Sequence, residues 1–366
     1  MTSHKPPMAK TLADGTPACR IVALEVTRSC NLACRHCRAE AHPEPFEGEL
    51  TTGEIKNLLD SFAEAGSPMV IFTGGEPLLR PDIFELIDHA HKNGLVCACS
   101  PNGTLIDAEN ARKLKEAGVN RCSISIDGPD AKSHDALRGV PGAFEASMRG
   151  IRHLREAGLP FQINTTVTRN NLDSFKDIFD LCQNMGACAW HIFLLVPTGR
   201  GKEITDQVIS AREYEDVLHW FYEFRKNTDM HLKATCAPHY YRIMRECAHA
   251  DGLEVNPQNF GMDAMTRGCL GGTGFCFISH VGQVQPCGYL PLDCGNVRQK
   301  PFPQIWRESD WFLKFRDKSC YEGKCGVCEY HNVCGGCRAR AMSMLGNPLA
   351  EEPLCAHQPI KLRTGK

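Results

Sequence analysis

From residue 21 onward the chain alternates short apolar, β-branched runs with longer runs in which apolar positions recur every three or four residues. The short runs are 21–27, 69–73, 95–100, 121–127, 161–167 and 190–196. Several are almost continuously apolar, as parallel strands covered on both faces must be. The longer runs, 52–65, 82–93, 108–117, 143–157 and 172–185, have helical periodicity. A glycine follows each of them (66, 94, 118, 158, 186), where a left-handed residue closes a helix. Thr51 and Glu54 have the spacing of a capping box at the first helix start.

Six strand–helix units in series predict an α/β fold, a partial (βα)6 parallel barrel with its chemistry at the C-terminal strand ends. A closed eight-fold barrel needs two more units, which the rest of the chain does not supply. Residues 212–226 predict a bridging helix. After about residue 267 the periodicity gives way to glycine, cysteine and turn residues. This predicts a small loop-rich C-terminal domain held by metal more than by a core. The expected division is a flexible N-terminal tail (1–19), the barrel (20–233), a bridge (234–268) and the cysteine-rich domain (269–366).

Composition sharpens this picture at one point. Lys and Arg number 41 against 43 Asp and Glu, a balance that argues against a nucleic-acid binder. No apolar run reaches signal-peptide or membrane-span length, so a cytoplasmic protein with no membrane association is expected. Cysteine stands out, with 21 residues, ten of them between Cys269 and Cys355. In a reducing compartment such density reads as metal ligation, and an odd count cannot pair fully as disulfides. Iron–sulfur or zinc is the expectation.

The segment SCNLACRHC directly follows the first strand and spaces Cys30, Cys34 and Cys37 as C-x3-C-x2-C. Three thiolates on one loop can ligate three irons of a 4Fe–4S cube and leave the fourth iron open. A zinc site would seek a fourth ligand, for which His36 is the neighbour at hand. This spacing, one turn after strand one, resembles the radical S-adenosylmethionine (SAM) superfamily signature. The resemblance implies that the open iron chelates SAM. TGGEP at 73–77 follows the second strand; Gly74 and Gly75 permit close backbone approach. By the resemblance, Glu76 meets the amino group of the cofactor. Asn102–Gly103, Ser125 and Asp127 stand at strand ends where the family contacts the cofactor, and Arg138 would pair with its carboxylate. For TGGEP the alternative is a glycine-requiring turn; for the others it is polar residues solvating strand ends.

The tail reads Cys269-x6-Cys276-x5-Gly282-x4-Cys287, then Cys325-x2-Cys328-x5-Cys334-x2-Cys337, then Cys355. It resembles the SPASM domain, with two residues before Cys337 where the family usually has three. The resemblance implies two auxiliary 4Fe–4S clusters, one on Cys269, Cys276, Cys287 and Cys337, the other on Cys325, Cys328, Cys334 and Cys355. A pair of four-cysteine zinc sites is the competing reading. Of the ten remaining cysteines (19, 97, 99, 122, 182, 188, 236, 247, 294, 320), most sit inside strand or helix patterns as small buried hydrophobes, and none is expected to be a ligand.

Over nearly its whole length the chain further resembles the haem-forming radical enzymes of the sirohaem-dependent pathway. The stretches that carry this are EVTRSCNLACRHCRAEAHPEP, HIFLLVPTGRG, LKATCAPHYYRIMR and GFCFISHVGQVQPCGYLPL. The resemblance implies oxidative decarboxylation of two propionates of iron-coproporphyrin III to vinyls, yielding haem b, with ferredoxin or flavodoxin as electron donor. His239, Tyr240, Tyr241 and Arg242, with Arg200 and Lys202, are candidates for the substrate site; an amphipathic helix and a basic loop are the plainer alternatives. Three rivals remain: a radical enzyme for another tetrapyrrole, a peptide-modifying maturase of the sulfatase or quinone-cofactor type, and a zinc-held binding module. Only 29 residues precede Cys30, too few for a leader-recognition domain, which tilts against peptides.

Overall fold

The computed structural model of the protein describes residues 11–364. Its strands and longer helices run β1 (Ile21–Thr27), α1 (Thr52–Ser61), β2 (Met69–Gly74), α2 (Ile83–Lys92), β3 (Cys97–Cys99), α3 (Ala108–Glu116) and β4 (Val119–Ser125). They continue α4 (Ala131–Arg138), α5 (Ala143–Glu156), β5 (Phe161–Val167), α6 (Phe175–Asn184), β6 (Ala189–Leu194), α7 (Ala211–Arg225), β7 (His231–Thr235) and α8 (Tyr240–Ala250). Two short strands follow, β8 (Phe275–Ile278) and β9 (Val284–Gln285). The Thr51–Glu54 capping box is formed, and all five glycines that follow the expected helices have positive φ.

Among the described residues, these nine strands form one sheet in the order β7-β6-β5-β4-β3-β2-β1-β8-β9. Pairing is parallel from β7 through β8, and only β9 runs antiparallel. The sheet thus holds the six expected strands and two further parallel ones. HLKAT in β7 is short and half polar, and β8 lies among glycines and cysteines, so neither gives a strand-length apolar run. The second addition changes the architecture. β8 pairs along β1 with Ile21 opposite Phe275 and Leu24 opposite Ile278, so the cysteine-rich segment extends the barrel sheet itself.

Alternate strand residues face opposite sides. Val22, Leu24, Phe72, Cys122, Ile124, Ile163, Trp190, Ile192 and Leu232 join the helix-covered core. Glu25, Ser123, Asn164, His191 and Lys233 alternate with them and give the concave side its polar character. A helix of the tail, Phe302–Glu308, lays Phe302, Ile305 and Trp306 onto the same core, with Phe302 edge-on to Phe62 at 5.1 Å. Residues 11–19, expected to be loose, are held against this helix. Trp306 Nε1 donates to the Pro17 carbonyl at 2.8 Å, and Asp14 pairs with Arg307 at 2.8 Å. The first ten residues of the expected tail lie outside the described residues.

Because β8 covers one edge of β1, a chain ended at residue 268 would leave that edge and its apolar neighbours open. It should elute as aggregate in size-exclusion chromatography, where the full chain elutes as a discrete species. A soluble truncated protein with an intact barrel cluster would show that β1 does not need β8.

Candidate active site and cluster ligands

The loop after β1 carries Cys30, Cys34 and Cys37, and it is held on every side. Arg200 clasps it, with Nε donating to the Cys34 carbonyl at 2.9 Å and Nη1 to the Ala41 carbonyl at 2.8 Å. Gly139 and Gly199 approach so closely that a Cβ would stand 2.4 Å from the Ala33 carbonyl and 2.5 Å from the Cys37 carbonyl. Donors reach two of the sulfurs: the Leu32 N–H meets Cys30 at 3.4 Å and Arg138 Nη1 meets Cys34 at 3.6 Å. Burial pushes the Cys30 thiol up to about 12, so a thiolate there needs a cation to hold it. Three thiols on one loop, two of them met by N–H donors, suit a cluster ligated through three irons. His36, the neighbour a zinc site would need, sits in the field of Arg138, Asp127, Arg200 and His134, and burial brings its pKa down to about 4.

TGGEP locks this loop to β2. A Cβ on Gly74 would lie 2.2 Å from the Thr27 carbonyl, and one on Gly75 would lie 2.3 Å from that of Ser29. The N–H groups of Gly75 and Glu76 donate to those same two carbonyls, each at 2.8 Å. Both glycines are therefore required by the fold itself. Glu76 is fully buried and accepts from the backbone N–H of Asn102 at 2.7 Å and of Leu78 at 3.0 Å. Asn102 in turn donates to Asn31 at 2.8 Å, joining the β3 end to the cysteine loop. Burial pushes the Glu76 carboxyl up to about 7 against these two donors.

Ser125 ends β4 on the polar side, beside Asn164 of β5. Arg138 makes two contacts within the protein. Its guanidinium is buried and already paired with Asp127 at 2.6 Å, while its other arm points to Cys34. Its two Nη groups are thus committed to Asp127 and to the cluster loop, while its Nε has no partner among the described residues. Burial would raise the Asp127 carboxyl, yet Arg138, then His36 and His134, hold it below the usual range. Among the substrate candidates, Tyr240 and Tyr241 are core residues, and Arg242 pairs with Glu215 and Glu246. His239 is buried against Tyr214, Arg200 is the clasp described above, and Lys202 is exposed.

In the tail, Cys325, Cys328, Cys334 and Cys355 line a single cavity together with His239 and Glu352. Each of these four sulfurs is met by an N–H: Cys328 by Tyr330 at 3.4 Å, Cys334 by Gly336 at 3.4 Å, Cys325 by Glu352 at 3.3 Å, and Cys355 by His357. Cys287 accepts likewise from Tyr289 at 3.5 Å and lies in the field of Cys337 and Cys269. Core cysteines behave in the opposite way and donate. Cys19 and Cys97 point S–H toward the carbonyls of Ile21 and Ile87, and the exposed Cys188, contrary to its reading as a buried hydrophobe, does the same toward Phe161. Cys276 is the exception among the expected ligands. It lies opposite Val22, fully buried in the helix-covered core, with its free thiol in hydrogen-bonding contact with that of Cys19. Strand alternation sends it to the face away from Cys287 and Cys337.

The sequence reading also missed the pair that holds the two tail sets together. Arg340 and Glu352 are fully buried and bonded at 3.2 Å. Glu352 accepts from the Cys337 N–H at 2.7 Å, while Arg340 donates to the Cys236 carbonyl at 2.9 Å and to the Leu194 carbonyl at 3.2 Å. No sequence motif marks either residue.

The chain matches the family profile "Radical SAM superfamily" over residues 24–182 and the profile "Iron-sulfur cluster-binding domain", SPASM, over residues 269–338. It is 68% identical over 361 residues to the AdoMet-dependent heme synthase of Nitratidesulfovibrio vulgaris, covering 99% of this chain and 98% of that protein. It is 52% identical over 346 residues to the AdoMet-dependent heme synthase of Methanosarcina barkeri, covering 94% and 99%. Streptococcus suis SuiB bound to precursor peptide SuiA has a similar fold, with a TM-score of 0.72 at 17% identity, covering 93% of this chain and 76% of that one.

Glu76→Gln turns an NH2 group toward one of the two backbone donors, which should cost roughly 1–3 kcal/mol. The sign of its pH dependence follows from the raised carboxyl. Below the unfolded value near 4.5 the protonated side chain makes its full contribution. As pH rises toward about 7 the unfolded chain ionises first, and the parent loses up to roughly 3 kcal/mol. The melting-temperature gap between parent and variant should therefore be widest at acid pH and narrow toward pH 7. A gap that widens with pH would mean that Glu76 is already ionised in the folded protein.

Proposed function

The chain belongs to the radical SAM superfamily, among its SPASM-bearing haem synthases, and from this premise we propose that it decarboxylates two propionates of iron-coproporphyrin III to vinyl groups, forming haem b. With its clusters and SAM bound, the protein has a source of the 5′-deoxyadenosyl radical and one-electron acceptors. Each propionate gives up one hydrogen atom from its β-carbon, one carbon dioxide and one electron, so the net change is an oxidation.

The observation that carries this reading is the concave face. The three-thiol loop stands at the C-terminal end of β1, where a parallel sheet presents its reactive side. The same face carries Arg121, Gln162, Asn164, His191 and Lys233, donors suited to a substrate with four carboxylates. Gln162 links His191 and Asn164 at 2.9 Å each, and so fixes their direction. Arg38 pairs with Glu25 at 3.2 Å, stacks on Phe277 at 4.3 Å and lies beside Cys287. Tyr289 is flanked by Cys236, Arg38, Cys287 and Cys37. Tyr289 thus neighbours both a barrel thiol, Cys37, and two thiols at the first tail set, Cys236 and Cys287, which suits the passage of an electron from barrel to tail. A cytoplasmic ferredoxin or flavodoxin is the proposed donor. Among the described residues no helix is long and apolar enough to cross a membrane.

The test is anaerobic incubation of reconstituted protein with SAM, a reductant and iron-coproporphyrin III, with products read by mass. Haem b should appear with two carbon dioxides and two 5′-deoxyadenosines per molecule. Turnover of another tetrapyrrole in its place would overturn the substrate assignment. Cys325→Ala with Cys328→Ala should still yield 5′-deoxyadenosine but little vinyl product. Full haem formation by that variant would show that electrons leave by another route.

A further inference from the structure

The first tail set expected from the sequence is incomplete once Cys276 turns into the core, and a different cysteine stands in its place. Cys236 follows β7, at the barrel end of the bridge. Its thiol is in hydrogen-bonding contact with that of Cys337, and Cys287 is the next thiol in its field. Cys287 in turn has Cys337 and Cys269 as its neighbours, so four thiols converge. Cys236, Cys287 and Cys337 share one packed cluster of side chains with Val196, Leu290 and Tyr321. Cys276 belongs to the other core, with Val22, Ile278 and Cys294.

The backbone at Cys236 is built for this aim. Its φ is +56°, a left-handed conformation that a residue with a Cβ adopts only under constraint. The constraint is visible. The Cys236 carbonyl accepts from the Tyr214 hydroxyl at 2.7 Å and from Arg340 Nη2 at 2.9 Å. Both donors are fully buried, and Arg340 is itself fixed by Glu352. These bonds hold a strained turn whose effect is to carry the sulfur to Cys337.

We propose that Cys236, and not Cys276, is the fourth ligand of the first auxiliary cluster, completing a set with Cys269, Cys287 and Cys337. Each thiol releases its proton to solvent as its sulfur bonds to iron, and four thiolates satisfy the four irons of one cube. The ligand set then spans barrel and tail, since Cys236 belongs to the end of β7 and the other three to the tail. The inference rests on the cluster reading of the family and not on which tetrapyrrole is turned over.

The test uses the full chain in a Cys30/Cys34/Cys37→Ala background, where only the tail clusters remain, about eight irons by two cubes. No substrate enters the assay, so its failure is separate from that of the proposed reaction. The readouts are iron and sulfide content and the electron paramagnetic resonance spectrum of the reduced protein. Cys236→Ser, which places an oxygen at the ligand position, should shift one of the two cluster signals, and Cys236→Ala should lower the iron content. Cys276→Val, an apolar residue of similar size in an apolar core, should keep all the iron and both signals unchanged. An unshifted spectrum with full iron in Cys236→Ser overturns the proposal. So does loss of about four irons, one cube, in Cys276→Val with unchanged circular dichroism.

Discussion

The buried ion pair between Arg340 and Glu352 is the contact on which the arrangement of barrel and tail depends. Two charges with no access to water are tolerated only when their remaining hydrogen-bonding capacity is used. Here the two Nη groups of Arg340 and the carboxylate of Glu352 reach the end of β6 at Leu194, the turn at Cys236, the Tyr214 hydroxyl of α7, and the N–H groups of Cys337 and Leu354, and only Arg340 Nε is left without a partner among the described residues. The pair therefore joins a strand end, a helix, a strained turn and both thiol sets at one point. Removing one partner of such a pair typically costs about 3–5 kcal/mol, because the other charge is left uncompensated. The geometry of both tail sites follows from where this pair sits.

A second regularity concerns how each sulfur is met. At Cys30, Cys287, Cys328 and Cys334 the donor is the N–H two residues further on, so the turn that presents the thiol also supplies its hydrogen bond. Such donors favour the charged form of the acceptor, the thiolate that iron requires. Other thiols, such as Cys19 and Cys97, instead spend their S–H on backbone carbonyls. The protein thus sorts a cysteine-rich chain into ligands and packing residues by the local path of its backbone.

This sorting explains what the sequence could reveal. The barrel strands β1–β6, the five expected helices and their closing glycines were legible because periodicity is a local property, and Cys30, Cys34 and Cys37 because three ligands fall on one loop. β8 was hidden in four residues, and its discovery reverses the side on which Cys276 points. Cys236 lies 33 residues before Cys269, where spacing carries no information and only the fold brings them together. Arg138 shows the converse limit. A buried arginine near the cofactor end of the barrel suits a carboxylate, and Asp127 supplies one from within the protein at 2.6 Å.

The pairing of β1 with β8 also orders events in time. Glu25 accepts a hydrogen bond from His280, 255 positions later in the chain, and the same strand supports the first cysteine loop. A ribosome releases β1 long before β8 exists, so one edge of the first strand waits unpaired through most of synthesis. Contacts of such long sequence separation form slowly, and open strand edges invite association in the meantime. The iron of the barrel loop thus binds to a scaffold whose first strand is secured by one of the last strands made. Delivery of clusters to the nascent chain and completion of its sheet are, for this topology, a single scheduling problem.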